Sequence, residues 1–242
     1  MSRNVLVTGV SRGLGLEITR QLLAAGWSVH GLSRRRSPEL DALEAEYPGR
    51  LRFLSFDLEA TDQVQPAVFA EFVPLGLRLD GFVNNAALAY DDLVTNLQAD
   101  PLRRLFAVNV FTPMMLTKYV IRNFLLHAVR GSIVHVSSIS VHTGYQGLAM
   151  YASTKGALEA FSRNTAREWG ERGVRSNCVV AGFMETAMSS TLSDDQRRRI
   201  RQRTALKEAT RLDSVAGTVR FLLGDEAASI TGQNLFVDSG TI

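Results

Sequence analysis

Asn4-Val5-Leu6-Val7-Thr8-Gly9-Val10-Ser11-Arg12-Gly13-Leu14-Gly15 decides the reading of this chain. An apolar run ends in a glycine turn, and the residues up to Ala25 carry Leu14, Ile18, Leu22 and Leu23 at helical period. Strand, glycine turn and helix follow one another. In such a turn one glycine serves the tight bend and others let backbone approach a ligand and the sheet, so a pyrophosphate can sit at the helix N-terminus. Gly9, Ser11, Arg12, Gly13, Leu14 and Gly15 are the candidate contacts. The spacing is G-x-x-x-G-x-G rather than G-x-G-x-x-G, and by itself it also suits a purely structural turn. Gly9-Val10-Ser11-Arg12-Gly13 matches the G-x-S-x-G nucleophile elbow as well, but that chemistry needs a histidine late in the chain. The four histidines are His30, His127, His135 and His142. No Gly-Lys-Ser/Thr follows, so a P-loop is excluded.

Outward from this turn the alternation repeats: Trp27 to Leu32 then Pro38 to Tyr47, Leu51 to Phe56 then Asp62 to Phe72, Gly81 to Asn84 then Pro101 to Leu126. Ile133 to Val136, Tyr151 to Trp169 and Ser176 to Val180 continue it. Near-continuous apolar strands between helices imply a parallel sheet covered on both faces, and the crossover rule makes a doubly wound, Rossmann-like α/β sheet the simplest topology. The 242 residues are 45% hydrophobic and 21% charged, enough for a sizeable core. No linker or repeat divides them, so a single domain over 1–242 is predicted. The polar, Arg-rich stretch 183–209 fits the sheet pattern least and reads as a helical lid over a site.

The net charge is +3, and of 27 cations only Lys118, Lys155 and Lys207 are lysine. The clusters Arg34 to Arg36 and Arg197 to Arg203 lack interleaved aromatics, which argues against nucleic acid. Leu105 to Ile121 is interrupted by Asn109, Thr112, Pro113 and Lys118, which argues against a membrane span. The lone Cys178 and the polar start Met1-Ser2-Arg3 predict a cytoplasmic protein. Histidine and cysteine show no metal-ligand spacing, so no metal is expected, and Cys178 reads as packing in a strand.

The end of the second strand, Gly31-Leu32-Ser33-Arg34-Arg35, lacks the acid that accepts the ribose hydroxyls of NADH. Arg34, with Arg12, can pair with a 2′-phosphate instead, so NADPH/NADP+ is favoured; a solvated loop is the alternative. Tyr151 and Lys155 lie four apart on a predicted helix and share a face. A nearby ammonium lowers a tyrosine pKa from about 10, which makes Tyr151 a plausible proton donor. Ile133 to Ser138 reads as a buried strand whose terminal serines reach the carboxyl edge, where open α/β sheets bind ligands. Asn109, an amide in an apolar helix, needs a partner and reads on its own as a satisfied buried Asn.

Together these residues resemble the short-chain dehydrogenase/reductase family, over Val5 to Gly240. The glycine motif matches Thr8 to Gly15, the adenine-contacting acid Asp57 with Leu58, the Asn-Asn-Ala-Gly turn Asn84 to Ala87, and the catalytic tetrad Asn109, Ser138, Tyr151 and Lys155. Ser33, Asn85, Ala86, Met184 and Thr186 are implied as further cofactor contacts, the last two in a loop that holds the nicotinamide carboxamide. Ile230 to Gln233 and Val237 to Gly240 resemble the C-terminal signature. Within the family the look is that of 3-oxoacyl-(acyl-carrier-protein) reductases, by Phe183 to Met188 and Leu192 to Arg197. That resemblance implies NADPH dependence, a homotetramer joined by the helices Pro101 to Leu126 and Tyr151 to Trp169, and docking of an acidic carrier protein near Arg172, with Arg130 a weaker candidate. Ala87, Ala181 and Ser239 depart from the usual Gly, Pro and Gly.

The resemblance implies that Ser138 polarises a carbonyl, Tyr151 protonates it, Lys155 tunes Tyr151 and bonds the nicotinamide ribose, and Asn109 anchors a proton-relaying water. The expected reaction is reduction of a carbonyl, foremost a 3-oxoacyl thioester, free or carrier-bound. A ketone, sugar or polyol of a specialised pathway is the alternative, and a non-catalytic dinucleotide-binding protein a third reading. Apolar Phe183, Met184 and Met188 favour a fairly apolar substrate.

Overall fold

The structure, a computed structural model, describes residues 3–186 and 193–242. Seven parallel strands form one sheet: β1 (Asn4–Thr8), β2 (Ser28–Ser33), β3 (Leu51–Ser55), β4 (Gly81–Asn84), β5 (Ser132–Ser138), β6 (Arg175–Ala181) and β7 (Asn234–Val237), in the order β3-β2-β1-β4-β5-β6-β7. The order reverses between β1 and β4, and ligands of open α/β sheets bind beyond the strand ends at such a switch point.

Because alternate strand residues face opposite ways, the sheet feeds two cores. Val5, Val7, Val83 and Val134 enter one, under α1 (Gly13–Ala24), α2 (Pro38–Glu46) and α7 (Leu212–Leu223), with Ile18, Leu22, Leu40 and Val219. Leu6, Phe82 and Ile133 enter the other with Val68, Leu116, Val120 and Phe124. That face is covered by the segment Val64–Phe72 and by α4 (Thr112–Leu126), and α5 (Ala149–Trp169) packs on β5 and β6. No described helix is long and apolar enough to cross a membrane.

Three departures from the sequence pattern bear on function. The helix expected over Pro101 to Leu126 divides into α3 (Ala99–Phe106), a π-helical segment Ala107–Phe111 and α4. Pro113 has no N–H, so the donor that a regular α-turn would bring to the Asn109 carbonyl is missing, and the helix widens there. The stretch 62–72 is likewise a 3₁₀ turn, Thr61–Gln63, followed by a π-helical segment, Val64–Phe72. Finally, α7 and β7 extend the fold beyond the predicted strands. Of the lid stretch, the described part holds the loop 182–186 and α6 (Asp194–Arg203), started by a capping box between Ser193 and Gln196. Ala187, Met188 and Leu192 lie outside the described residues.

Candidate active site

A single cleft of about 1540 Å³ runs along the carboxyl edge of the strands, from the glycine turn to α6. Pockets of 300–1,000 Å³ hold drug-sized ligands, so this one has room for a large ligand and a smaller one together.

The turn after β1 forms the first wall. Gly9 and Gly13 have φ of +79° and +54°, values that side chains disfavour. A Cβ on Gly15 would lie 2.0 Å from the Gly9 carbonyl oxygen, so α1 can enter this close only on a glycine. Arg12, the N-cap of α1, gives no side-chain cap, which leaves the first helical N–H groups to an anion. Ser11 N–H donates to Ser33 Oγ at 3.4 Å, and Ser37 Oγ donates to the Ser11 carbonyl at 2.7 Å, tying this turn to the end of β2. There Arg36 pairs with Asp41 and Glu44. Arg12 and Arg34 line the cleft, exposed, and make no ion pair among the described residues. Two free guanidinium groups beside an uncapped helix start suit a ligand with several phosphates.

Asp57 and Leu58 line the same half. Asp57 is exposed and accepts from Glu59 N–H at 3.0 Å, while Leu58 is buried and its carbonyl takes the Thr112 hydroxyl at 2.6 Å. Opposite, the buried Thr8 hydroxyl accepts the backbone N–H groups of Asn85 and Ala86, both at 3.0 Å, and Asn85 Nδ2 donates to the Thr8 carbonyl at 2.9 Å. These bonds lock the end of β4 to that of β1 and set Asn85, Ala86 and Ala87 in the cleft wall. Thr8 opens the glycine motif in the sequence, and in the fold its hydroxyl and carbonyl clamp the switch point.

The reacting end is built from β5 and α5. Ser138 caps a 3₁₀ turn, its Oγ accepting from Ser140 N–H at 3.2 Å and Ser140 Oγ at 3.0 Å. A hydroxyl that accepts twice has its one proton left to donate. Ser137 donates to buried Glu159 at 2.5 Å. Glu159 also takes Asn234 Nδ2 at 2.6 Å and His142 Nε2, and so joins β5, α5 and β7 behind the site.

Tyr151 and Lys155 line the cleft one helical turn apart, with Lys155 Nζ 5.7 Å from the Tyr151 ring centroid. The expected lowering of the tyrosine pKa is not what the structure shows. Burial, and secondly the Asp91 carboxylate, push Tyr151 up to about 12. Burial likewise pushes Lys155 down to about 8, and its ammonium donates to the Val136 carbonyl at 2.8 Å. In both, desolvation disfavours the charged form. Tyr151 therefore holds its proton at neutral pH, as a proton donor must.

Asn109 is 1% exposed in the π-helical segment. Its Oδ1 accepts from Leu88 N–H at 2.8 Å, and its Nδ2 donates to the Leu88 carbonyl at 2.9 Å and to Thr154 Oγ1 at 3.1 Å. Through these bonds the side chain clamps the loop after β4 to α5.

Met184 and Thr186 reach the cleft beside the glycine turn, a Cβ on Gly13 lying 3.8 Å from Thr186 Cγ2. Residues that carry no motif complete the far half: Asp91, Tyr145, Gln146, and from α6 Gln196, Arg199, Ile200 and Arg203. This half is less apolar than Phe183 and Met184 alone suggest. Of the departures, Ser239 takes the left-handed φ of +57° that its family counterpart glycine suits. Arg130 lies against Gly173, next in the chain to Arg172. The two arginines precede β5 and β6, at the edge of the sheet opposite the cleft.

Residues 9–241 match a family model described as enoyl-(acyl carrier protein) reductase. Carbonyl reductase (NADPH) 2 of Sus scrofa is 32% identical over 240 residues, 97% of this chain and 94% of that protein. L-xylulose reductase of Caenorhabditis elegans is 32% identical over 242 residues, 98% and 95% of the two. The 3-oxoacyl-(acyl-carrier-protein) reductase FabG of Escherichia coli (strain K12) is 34% identical over 238 residues, 97% and 95%. The solved structure of ElxO with NADP bound superposes with a TM-score of 0.90 at 26% identity, covering 100% of this chain and 99% of that one.

Proposed function

The chain belongs to the short-chain dehydrogenase/reductase family, an oxidoreductase family whose members reduce carbonyls, and on that premise we propose that it is an NADPH-dependent reductase of 3-oxoacyl thioesters. The observation that carries this is that Ser138, Tyr151 and Lys155 line the same cleft as the glycine turn with Arg12 and Arg34. Gly9 to Gly15, Ser33, Arg34, Asp57, Leu58, Asn85, Ala86, Met184 and Thr186 would hold the dinucleotide, with Arg12 and Arg34 on its 2′-phosphate. Bound NADPH supplies the hydride.

The chain's own residues do the rest. Ser138 donates its hydroxyl proton as a hydrogen bond to the substrate carbonyl oxygen and draws electron density toward it. Tyr151, kept protonated by burial, gives its proton to that oxygen as negative charge develops there. Lys155 holds the floor of the site through Val136 and, with a pKa near 8, can return a proton toward Tyr151. Asn109 fixes the loop at Leu88 against α5 and thereby the spacing between the two halves of the cleft.

The reading extends to the whole chain as one cytoplasmic domain, with 183–209 as its lid and self-association through α4 and α5. Phe111, 52% exposed at the start of α4, supports such a contact face. A carrier protein held at Arg172 would serve the cleft of a neighbouring subunit, because in its own protomer that edge lies behind the sheet. A sugar or small-ketone reductase is the second reading, favoured by polar Asp91, Tyr145 and Gln146 in the substrate half. The test follows NADPH oxidation with an acetoacetyl thioester, beside NADH and a sugar ketone. Turnover of the thioester with NADPH supports the first reading; turnover of the sugar ketone alone moves the assignment to the second.

A further inference from the structure

The helix α6 turns an unusual face to the cleft. Gln196, Arg199, Ile200 and Arg203 recur at the spacing of one helical stripe, and all four line the cavity. On a surface helix the inward stripe is ordinarily apolar, yet here it carries two arginines. The arginines on the other faces have partners: Arg198 pairs with Asp195 at 2.8 Å and Arg201 with Glu185 at 2.7 Å. Arg199 and Arg203 make no ion pair among the described residues, and the stretch 187–192 contains no acid. Arg203 stands near Tyr145, whose phenol burial pushes up and Arg203 draws back down. Asp91, whose carboxylate acts on Tyr151, lines the same cleft.

We propose that Arg199 and Arg203 form an oxyanion subsite in the substrate half of the cleft, so that the physiological substrate is a carbonyl compound bearing a carboxylate or phosphate remote from its reacting carbon. This deepens the reductase reading and rests on it. The two guanidinium groups sit one turn apart on a helix with no buried residue, so they can meet two oxygens of one anion without disturbing the core. A thioester carried on a phosphate-bearing arm and a free oxo acid share this chemistry.

The test separates binding from turnover. Calorimetry on the NADP+-loaded protein compares acetyl-coenzyme A, 3-hydroxybutyrate and the neutral acetyl thioester of N-acetylcysteamine, in wild type, Arg199→Gln, Arg203→Gln, the double variant and Arg203→Lys. A charge-assisted hydrogen bond contributes about 1.5–3 kcal/mol, so each glutamine variant is expected to weaken at least one anionic probe about tenfold or more. The neutral probe then loses its disadvantage, and Arg203→Lys recovers part of the loss. Coenzyme A responding alone assigns a phosphate-bearing arm; 3-hydroxybutyrate responding alone assigns a free acid. Equal binding of anionic and neutral probes by the wild type overturns the subsite. A matching rise in the NADPH dissociation constant of the variants overturns it too, by placing the arginines on the cofactor. Failure of the wild type to bind NADPH at all strikes the reductase reading instead, while the anion titration on the unloaded protein still decides the subsite.

Discussion

Arg34 stands where a carboxylate would select NADH, exposed on the cleft and without an ion-pair partner among the described residues. Replacing Arg34 with Ser removes one charge-assisted contact to a 2′-phosphate, so the preference for NADPH over NADH in kcat/KM should fall about tenfold to a hundredfold; an unchanged ratio would assign selection to Arg12. Lys155 carries the opposite kind of signal. Its pKa of about 8 in the fold lies below the 10.5 of an unperturbed lysine. Between these values the unfolded chain binds more protons, so this residue makes stability rise with pH over that window and holds it down below pH 8. Lys155→Met should therefore abolish turnover yet raise the urea midpoint at pH 7, by about 1–3 kcal/mol in stability. The difference between variant and wild type should shrink by pH 10. A difference independent of pH would mean that the ammonium is not desolvated as described.

The π-helical segment Ala107–Phe111 shows how an element, rather than a residue, sets the site. The wide turn aims Asn109 at both the Leu88 backbone and Thr154. Asn109→Ala strands the part-buried N–H and carbonyl of Leu88, and should cost about 2–4 kcal/mol in denaturant titration while lowering kcat more than it raises KM; full stability would show that water replaces the amide. The sequence placed a helix here but not its widening, since a missing proline N–H tells only that one bond is lost, not how the turn relaxes. The strand–turn–helix at Asn4 to Ala24, the Tyr151–Lys155 spacing and Ser138 at its strand end were legible because each rests on local period. β7 was not: three of its four residues are half-buried, Phe236 is exposed and Asn234 is polar, and they become a strand only by pairing with β6. α7 does show helical spacing in Val215, Ala216, Val219 and Leu222. The stretch 183–209 was legible as a lid, but which of its arginines face the cleft was not, because that depends on residues far off in sequence.

At the scale of the whole molecule, the parallel sheet buries two neutral histidines. Burial first, and a neighbouring cation second, push His30 down to about 4 and His135 down to about 3, against an ordinary 6.5. His135 lies edge-on to the rings of Phe82 and Phe161, with Lys155 as the neighbouring charge. Because the unfolded chain takes up protons below pH 6.5 while the fold refuses them, stability should fall on acidification by about 1.4 kcal/mol per histidine per pH unit. Urea midpoints at pH 7 and pH 5 check this; equal midpoints would mean that the interior admits the charged form. The same burial raises the Tyr151 phenol, so acid sensitivity and a protonated donor share one origin in the dry sheet edge.

The central claim is that Tyr151 donates the proton in a carbonyl reduction run from this cleft. Single-turnover oxidation of bound NADPH, started by adding an acetoacetyl thioester, should proceed in the wild type and slow by about a thousandfold or more in Tyr151→Phe, with NADPH bound equally by both. Near wild-type rates in the phenylalanine variant would contradict the assignment and with it the mechanism built on Ser138, Tyr151 and Lys155.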